Sequence, residues 1–567
     1  SVTIDEDGEM LEYEAENEVV RGGIDISKED SEMGSTPQGN SSFAGISFEV
    51  VNRSANPVVV DGQTYAVGDV VMTITTHENG HASTGSEALP YGTYEVKESA
   101  TNESMLLTWT GETVTVRQNG HSVAITAVND VERGGLSLQK TDTITGTTPQ
   151  GDADFSGITF EIINNSRNPV MVEGQKYQPG EVVKTLVTDS EGKASTADDL
   201  LPYGEYILHE SVTNESMLLT APDQTVNVSD DGVIYEFTMA DEVVRGGVLI
   251  EKRDLESGLL TPLGGASLDG TLFEITNKSI NAVYVNGALY QPGEVCATIE
   301  VVDGIAQTDT RALPYGTYQM VESKPGEGYL HTDQTVRSFQ IRADGEVIEF
   351  RDGDAAYNQV IRGDLQFIKV GEGGEANMAR FANVAFKLIS ETTGEEHIVV
   401  TDENGEVRTT TEWNPHSQNT NGNDGVEDES AWNDHAGTWF GLTTEGWMVD
   451  VQDELCALPF DTYTLEELPC EGNQGYELVK VPNITITRNN TTIELGTIDD
   501  QYEGVPEIGT TATVDGEHTA EPAGEVTITD VVTYKNLKAN QTYKLSGILM
   551  DKSTGEPLLI NEQQITA

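Results

Sequence analysis

The chain has 567 residues, too many for one hydrophobic core, so several domains of ordinary size are expected. Its net charge of -65 repels phosphate backbones and argues against nucleic-acid binding. No apolar run reaches the length of a membrane-spanning helix. Fifty-seven glycines, dense turn dipeptides such as Asn119-Gly120 and Asp303-Gly304, abundant Thr and Val, and no sustained helical period together indicate an all-β protein. The chain opens on Ser1 without a signal peptide, and both ends fall inside expected domains. A piece of a longer chain is therefore expected, with any export signal or anchor outside it. The cysteines Cys296, Cys456 and Cys470 are too few to staple several domains. Cys456 and Cys470 flank one expected hairpin, and geometry decides whether they pair.

Residues 1–20 read as the last hairpin of a preceding domain, with Tyr13 and Ala15 leading on one face to Asn17. The stretch Asn17 to Lys28, N-E-V-V-R-G-G-I-D-I-S-K, then recurs at Asn129 to Lys140, Asp241 to Lys252 and Asn358 to Lys369. Its Arg stands at 21, 133, 245 and 362, with spacings of 112, 112 and 117 residues. That period suits a β-sandwich and not a solenoid repeat. The map is therefore 21–132, 133–244, 245–361 and 362–504, the last with a Trp-rich insertion over 412–450, followed by a different, incomplete module over 505–567. Three landmarks travel with the repeat: N-R-S-A-N-P-V at 52–58 and its echoes, a Gly-x-x-Tyr turn such as Gly62 to Tyr65, and L-P-Y-G-T-Y at 89–94 with its counterparts at 201, 313 and 458. The joints between repeats are short, which predicts a semi-rigid string with Arg-Gly-Gly as the hinge.

Strand side chains alternate, so residues two apart share a face. In each first strand a Lys continues the apolar stripe: Ile24 and Ile26 precede Lys28, Leu136 and Leu138 precede Lys140, Val248 and Ile250 precede Lys252, and Leu365 and Phe367 precede Lys369. The strand after the L-P-Y-G turn does the same with a Glu, placing Tyr94 and Val96 on the face of Glu98, and likewise for Glu210, Glu322 and Glu467. The last strand carries Asn129 after Ile125 and Ala127, and Asp241 after Phe237 and Met239. In the third repeat R-D-G-D-A-A-Y before Asn358 breaks the alternation; in the fourth, Leu495 and Thr497 lead to Asp499, with Asp500 as the alternative. A buried, unpaired ammonium is costly. Two readings fit: a buried salt bridge beside a hydrogen-bonded amide, or a covalent amide between Lys and the Asn or Asp side chain. Burial favours the second chemistry, because it lowers a Lys pKa toward a neutral nucleophile and raises a Glu pKa toward a proton donor. Fixing both partners in the fold supplies the effective concentration.

These sets resemble the CnaB-type (SpaA-like, prealbumin-fold) domains of Gram-positive cell-surface adhesins and pilins, and the resemblance covers about residues 22–505. It implies tandem Ig-like or prealbumin-like β-sandwiches in an elongated array. Within them a first-strand Lys is joined to a last-strand Asn or Asp with help from a Glu. The matching residues are Lys28, Glu98 and Asn129; Lys140, Glu210 and Asp241; Lys252, Glu322 and Asn358; and Lys369, Glu467 and Asp499. Asn17 lacks an upstream Lys and is expected to stay an ordinary amide. The tail, through P-E-I-G-T-T-A-T and I-T-D-V-V-T-Y, resembles the start of a VaFE-repeat (Thr–Gln ester-bond) domain. That likeness makes Thr510 or Thr511 the ester nucleophile and Asp530 an assisting acid. The likeness implies an extracellular stalk attached to peptidoglycan through a C-terminus beyond Ala567, adhering to a ligand on host or neighbouring cells, with no enzymatic turnover and no cofactor.

The insertion holds Trp413, Trp432, Trp439 and Trp447, whose faces suit stacking on a glycan or docking a host protein, and His416 and His435, whose spacing fits no zinc pattern. The alternative is a long loop that packs its own aromatics on the sandwich. Arg362-Gly363-Asp364 spells an integrin-type tripeptide, but it occupies the position of Arg-Gly-Gly elsewhere and is explained by structure. A further rival is that these domains are appendages of a secreted hydrolase.

Overall fold

The computed structural model describes residues 2–373, 377–502, 504, 507–519, 526–537, 542–560 and 563–566. Regular structure among them is β, apart from short 3-10 turns at Asp352–Asp354, Glu429–Ala431 and Glu471–Asn473. Residues 2–20 carry no strand and are exposed throughout, so the hairpin expected there does not form. An alternating strand needs a facing sheet to bury its apolar side, and Tyr13 has none.

Each repeat is a two-sheet sandwich. In the first, the Lys strand Arg21–Asp30 lies between the parallel acceptor strand Ser122–Asn129 and the short antiparallel strand His81–Ser83. The facing sheet runs Val70–Thr75, Ser47–Asn52, Gly92–Ala100, Glu112–Val116, and the third of these is the Glu strand. Ile24, Ile26, Phe48, Val50, Tyr94, Val96, Ile125 and Ala127 meet between the sheets. The same plan recurs with Lys strands Arg133–Asp142, Arg245–Asp254 and Arg362–Gly373 and Glu strands Gly204–Val212, Gly316–Lys324 and Asp461–Glu467.

The sequence landmarks have local causes. In L-P-Y-G-T-Y the second Tyr is buried and its hydroxyl donates to the turn's Pro carbonyl, at 2.8 Å for Tyr94 to Pro90 and 2.9 Å for Tyr463 to Pro459. Asn52, which opens the first landmark, is buried and ties its loop by donating to Asn56 O and Tyr65 O and accepting from Ser54 N. The Arg-Gly-Gly segment is not a hinge. Gly22 and Gly23 lie inside the Lys strand, where a Cβ would come within 2.6 Å of His121 O and 2.3 Å of Gly85 O. Glycine is there for close backbone approach, and the segment is held rigid.

The joints between repeats are built from the loop that follows each Lys strand. Gln38 donates to the buried Asp30 carboxylate and accepts from Met171 N of the second repeat at 2.8 Å. Gln150 repeats this with Asp142 and with Tyr284 N at 3.0 Å, and also accepts from Arg245. The third joint is apolar. Leu263, Ala266, Leu268, Tyr329 and Val360 of the third repeat pack with Trp439 and Val449 of the fourth. Within that joint Arg362 stacks over Trp439 at 3.9 Å and pairs with Glu256 at 2.8 Å, and neither charged side chain is more than 1% exposed. Arg362 and Asp364 are both buried, which removes the integrin-type tripeptide from the surface.

Candidate functional site

Between the sheets of every repeat the Lys and Glu side chains are fully enclosed, at 0% exposure. In the first repeat Lys28 Nζ lies 3.4 Å from Glu98 Oε2, and Asn129 Nδ2 donates to Glu98 Oε1 at 2.6 Å. In the second, Lys140 Nζ is 2.7 Å from both Glu210 Oε2 and Asp241 Oδ2. In the third, Lys252 Nζ is 3.0 Å from Glu322 Oε2 and Asn358 Nδ2 donates to Glu322 Oε1 at 2.5 Å. In the fourth, Lys369 Nζ is 3.0 Å from Glu467 Oε2 and in contact with Asp500.

Register explains the placement. Parallel pairing puts Asn129 opposite Asp30, Asp241 opposite Asp142 and Asn358 opposite Asp254, always two residues beyond the Lys. The third repeat keeps this register although its last strand is broken: Val347–Phe350 pairs with the Lys strand, the chain makes the 3-10 turn at Asp352–Asp354, and Ala356–Asn358 rejoins it. In the fourth repeat Asp499 is not the partner. The acceptor strand Thr491–Asp500 carries an extra residue between Glu494 and Thr497, where Gly496 adopts a φ of +71°. The bulge reverses the alternation, so Asp499 faces solvent and Asp500 is buried opposite Gly371.

The electrostatics follow from burial. Desolvation brings the Lys28 amine down to about 8 against the opposing pull of Glu98, and it lowers Lys252 likewise. Desolvation raises Glu98, and it raises Glu210 to about 7. At Asp241 burial opposes ionisation, but hydrogen bonds with Lys140 and Glu210 outweigh it and hold the carboxyl below its usual range. Asp500, with burial dominant, is raised to about 7. A neutral amine beside a carboxyl that still holds a proton is the combination that amide formation requires.

A loop that sequence reasoning missed covers the acceptor in three repeats. Asn129 Oδ1 accepts from Trp109 N at 3.0 Å. Asp241 Oδ1 accepts from Thr220 N, Ala221 N and the Thr220 hydroxyl at 2.9, 2.7 and 3.1 Å. Asn358 Oδ1 accepts from Asp333 N at 2.9 Å and from the Thr332 hydroxyl at 3.2 Å. The legible signal is the Thr in L-L-T at 106–108 and 218–220 and in L-H-T at 330–332.

The tryptophans of the insertion do not share one role. Trp439 is 1% exposed and belongs to the third joint, so its face is closed to a ligand. Trp432 is half-buried and donates to Val426 O, Trp413 is half-buried, and Trp447 is 63% exposed on a tight turn from Thr443. His416 is buried against Trp439 and bonded to Thr438 O, while His435 is exposed beside Asp434. Cys456 and Cys470 are both free thiols, beside Asn490 and Asn383 respectively. In the tail, Glu507–Thr513 pairs with Thr529–Lys535, and Asp530 lies opposite Ala512. Thr510 therefore shares a face with Asp530 and Thr511 does not; all three residues are exposed.

No curated protein sequence matches the chain. Among solved structures it is similar to the Bacillus anthracis TIE protein, at 16% identity and a TM-score of 0.40, covering 86% of this chain and 76% of that one. It is also similar to a streptococcal ancillary pilin, at 18% identity and a TM-score of 0.20, covering 60% of this chain and 99% of that one. BcpA, the major pilin subunit of Bacillus cereus, matches at 14% identity and a TM-score of 0.23, covering 60% and 99%. The model of the T-Q ester bond containing domain matches residues 506–567, and the SpaA model, a prealbumin-like fold domain, matches residues 22–131, 134–243 and 263–354. Because the SpaA matches take in more than half of the chain, the protein belongs to the SpaA family of prealbumin-like fold domains.

Proposed function

We propose that the chain is the stalk of a cell-wall-attached surface adhesin or pilin-like protein, whose repeats lock themselves with intramolecular Lys–Asn or Lys–Asp isopeptide bonds. One observation carries this reading: four fully enclosed Lys–Glu pairs, each with an Asn or Asp buried on the neighbouring parallel strand. A bond made once by residues of the fold itself is single-turnover chemistry and leaves no enzyme behind. The topology gives it a mechanical purpose. The chain enters a repeat at the start of the Lys strand and leaves at the end of the parallel acceptor strand, so a cross-link between them passes tension across the sandwich without loading the loop it closes. The pilins among the similar structures and the ester-bond domain match agree with a surface stalk outside the cell.

Intact mass under denaturing conditions tests the reading. Four bonds predict a deficit of two ammonias, from Asn129 and Asn358, and two waters, from Asp241 and Asp500. Peptide mapping should place the fourth cross-link on Asp500 and not on Asp499. A mass equal to the plain sequence would remove the covalent reading.

A further inference from the structure

We propose that the loop over the acceptor in the first three repeats is an oxyanion hole for isopeptide formation, and that the fourth repeat, which lacks it, closes last. The proposal rests on the covalent reading above. In each of the first three sites the donors converge on one acceptor atom, Oδ1: Trp109 N in the first; Thr220 N, Ala221 N and the Thr220 hydroxyl in the second; Asp333 N and the Thr332 hydroxyl in the third. The opposite atom of the same group faces the Lys–Glu pair. Asn129 Nδ2 and Asn358 Nδ2 donate to Glu98 and Glu322, and Asp241 Oδ2 meets Lys140. The geometry thus divides the side chain into an oxygen that takes charge and a group that leaves.

The step balances with what the site holds. The neutral Lys amine forms the Nζ–Cγ bond, and the carbonyl electron pair moves onto Oδ1, where the amide and hydroxyl donors already point. A proton from Nζ passes through the Glu carboxyl to Nδ2, the Cγ–Nδ2 bond breaks, and ammonia departs as the carbonyl reforms. With Asp241, Oδ2 takes one proton from the Glu210 carboxyl and one from Nζ, the Cγ–Oδ2 bond breaks, and water departs. Donors fixed in a dry site stabilise such a charge without reorganising.

Threonine organises the loop. Besides reaching Oδ1 in two repeats, its hydroxyl accepts the backbone N–H after the acceptor: Thr108 from Asp130 N, Thr220 from Glu242 N and Thr332 from Gln359 N. The fourth repeat is built differently. Leu106, Leu218, Leu330 and Glu477 are equivalent, each donating its N–H to the carbonyl of the residue after the acceptor. Two residues on, Val479 stands in place of Thr. Its segment enters the Glu sheet directly: Val479 N donates to Glu467 Oε2, and Glu467 N to Val479 O. Asp500 meets Lys369, but among the described residues no backbone amide or hydroxyl donates to either of its buried oxygens.

The test follows closure repeat by repeat in the full chain. Cell-free synthesis is quenched into acidic denaturant at timed intervals, and cross-linked peptides from each repeat are quantified by mass spectrometry. We expect the fourth repeat to lag the second by about tenfold or more, since one such donor is worth that much or more in rate. Thr220→Val should slow the second repeat alone by about tenfold, and Thr220→Ser should restore it. Cross-links forming at one rate in all four repeats would overturn the oxyanion role and leave the covalent reading standing. So would a Thr220→Val chain that closes as fast as the parent. Absence of cross-linked peptide at every time point would remove both. Should Thr220→Val fail to fold, the comparison of repeats within the unmodified chain still decides.

Discussion

The interior of a repeat and the joint between repeats solve opposite problems with different means. Inside, the ends of a sandwich approach each other on parallel strands, and a Lys, a Glu and an Asn or Asp are buried there together. Such a cluster is a poor source of stability while it remains ionic, because desolvation offsets the attraction. It becomes a strong one when converted to a covalent bond. Among the described residues at the joints, hydrogen bonds, packing and the buried Arg362–Glu256 pair hold neighbours together. The difference assigns unfolding resistance to the repeats and shape to the joints.

The largest effect expected is inside. Glu98→Ala removes the proton shuttle of the first repeat, so denatured mass should rise by one ammonia. Lys28 and Asn129 lie 101 residues apart, and leaving that loop open should cost the first repeat about 4.7 kcal/mol on the loop-entropy estimate. Calorimetry should show one transition moving down while the others stay. A variant with unchanged mass would break the comparison, since the interior would then owe nothing to the Glu. At the third joint, Trp439→Ala should cost about 3–5 kcal/mol, in the range of large-to-small changes in a packed core. Its indole is also the surface on which Arg362 is stacked. The loss should fall on coupling between the third and fourth repeats, read as two separated transitions, with every cross-link still present by mass.

The contrast also shows what a sequence exposes. Alternation located Lys28, Glu98 and Asn129 because each extends an unbroken apolar stripe, and burial of all three follows from strand period alone. The same rule named Asp499 in place of Asp500, because the bulge at Gly496 is a backbone event that leaves only a glycine in the sequence. In the third repeat the reverse held. The interruption before Asn358 looked disruptive, yet the chain loops out and rejoins the ladder in register. Joint chemistry was hidden for another reason: Trp439 and Glu256 come from different repeats, and no local period connects them. The insertion offered two readings, an aromatic surface for a ligand or a loop packing its aromatics on its own sandwich, and neither named the joint where its most buried Trp lies.

A smaller effect sharpens how the insertion is held. His397, on the edge strand Glu396–Val400, bonds Asp424 of the insertion at 2.5 Å and Glu395 at 2.9 Å, and Asn421 and the edge of Phe440 complete its surroundings. Glu395 also accepts from Gly441 N and Leu442 N, so the imidazolium sits between two anchors of the same loop. Burial works against its charge, but the bonds to Asp424 and Glu395 outweigh that and raise its pKa from 6.5 to about 9. A raised pKa means the folded state holds the proton more tightly. The stabilisation is therefore complete below pH 6.5 and is lost as pH climbs through about 9, a change on the order of 3 kcal/mol. Hydrogen exchange across 412–450 should accelerate over that window, and His397→Gln should flatten the dependence.

The smallest effect separates the polar joints from the apolar one. Gln150 bridges Asp142 to Tyr284 N and to Arg245, so Gln150→Ala removes two contacts across the second joint and leaves Asp142 its backbone donors Ile144 N and Thr145 N. The net cost is that of one or two hydrogen bonds, about 1–2 kcal/mol, because water can reach the opened joint. Neither adjoining repeat should melt earlier, as each keeps its own core and lock. The change belongs in the Tyr284 amide, whose exchange should quicken several-fold, and in a wider spread of angles between the second and third repeats by solution scattering. An equal loss of thermal stability in both repeats would contradict the division between interiors and joints, because it would make a joint residue part of what keeps each sandwich folded.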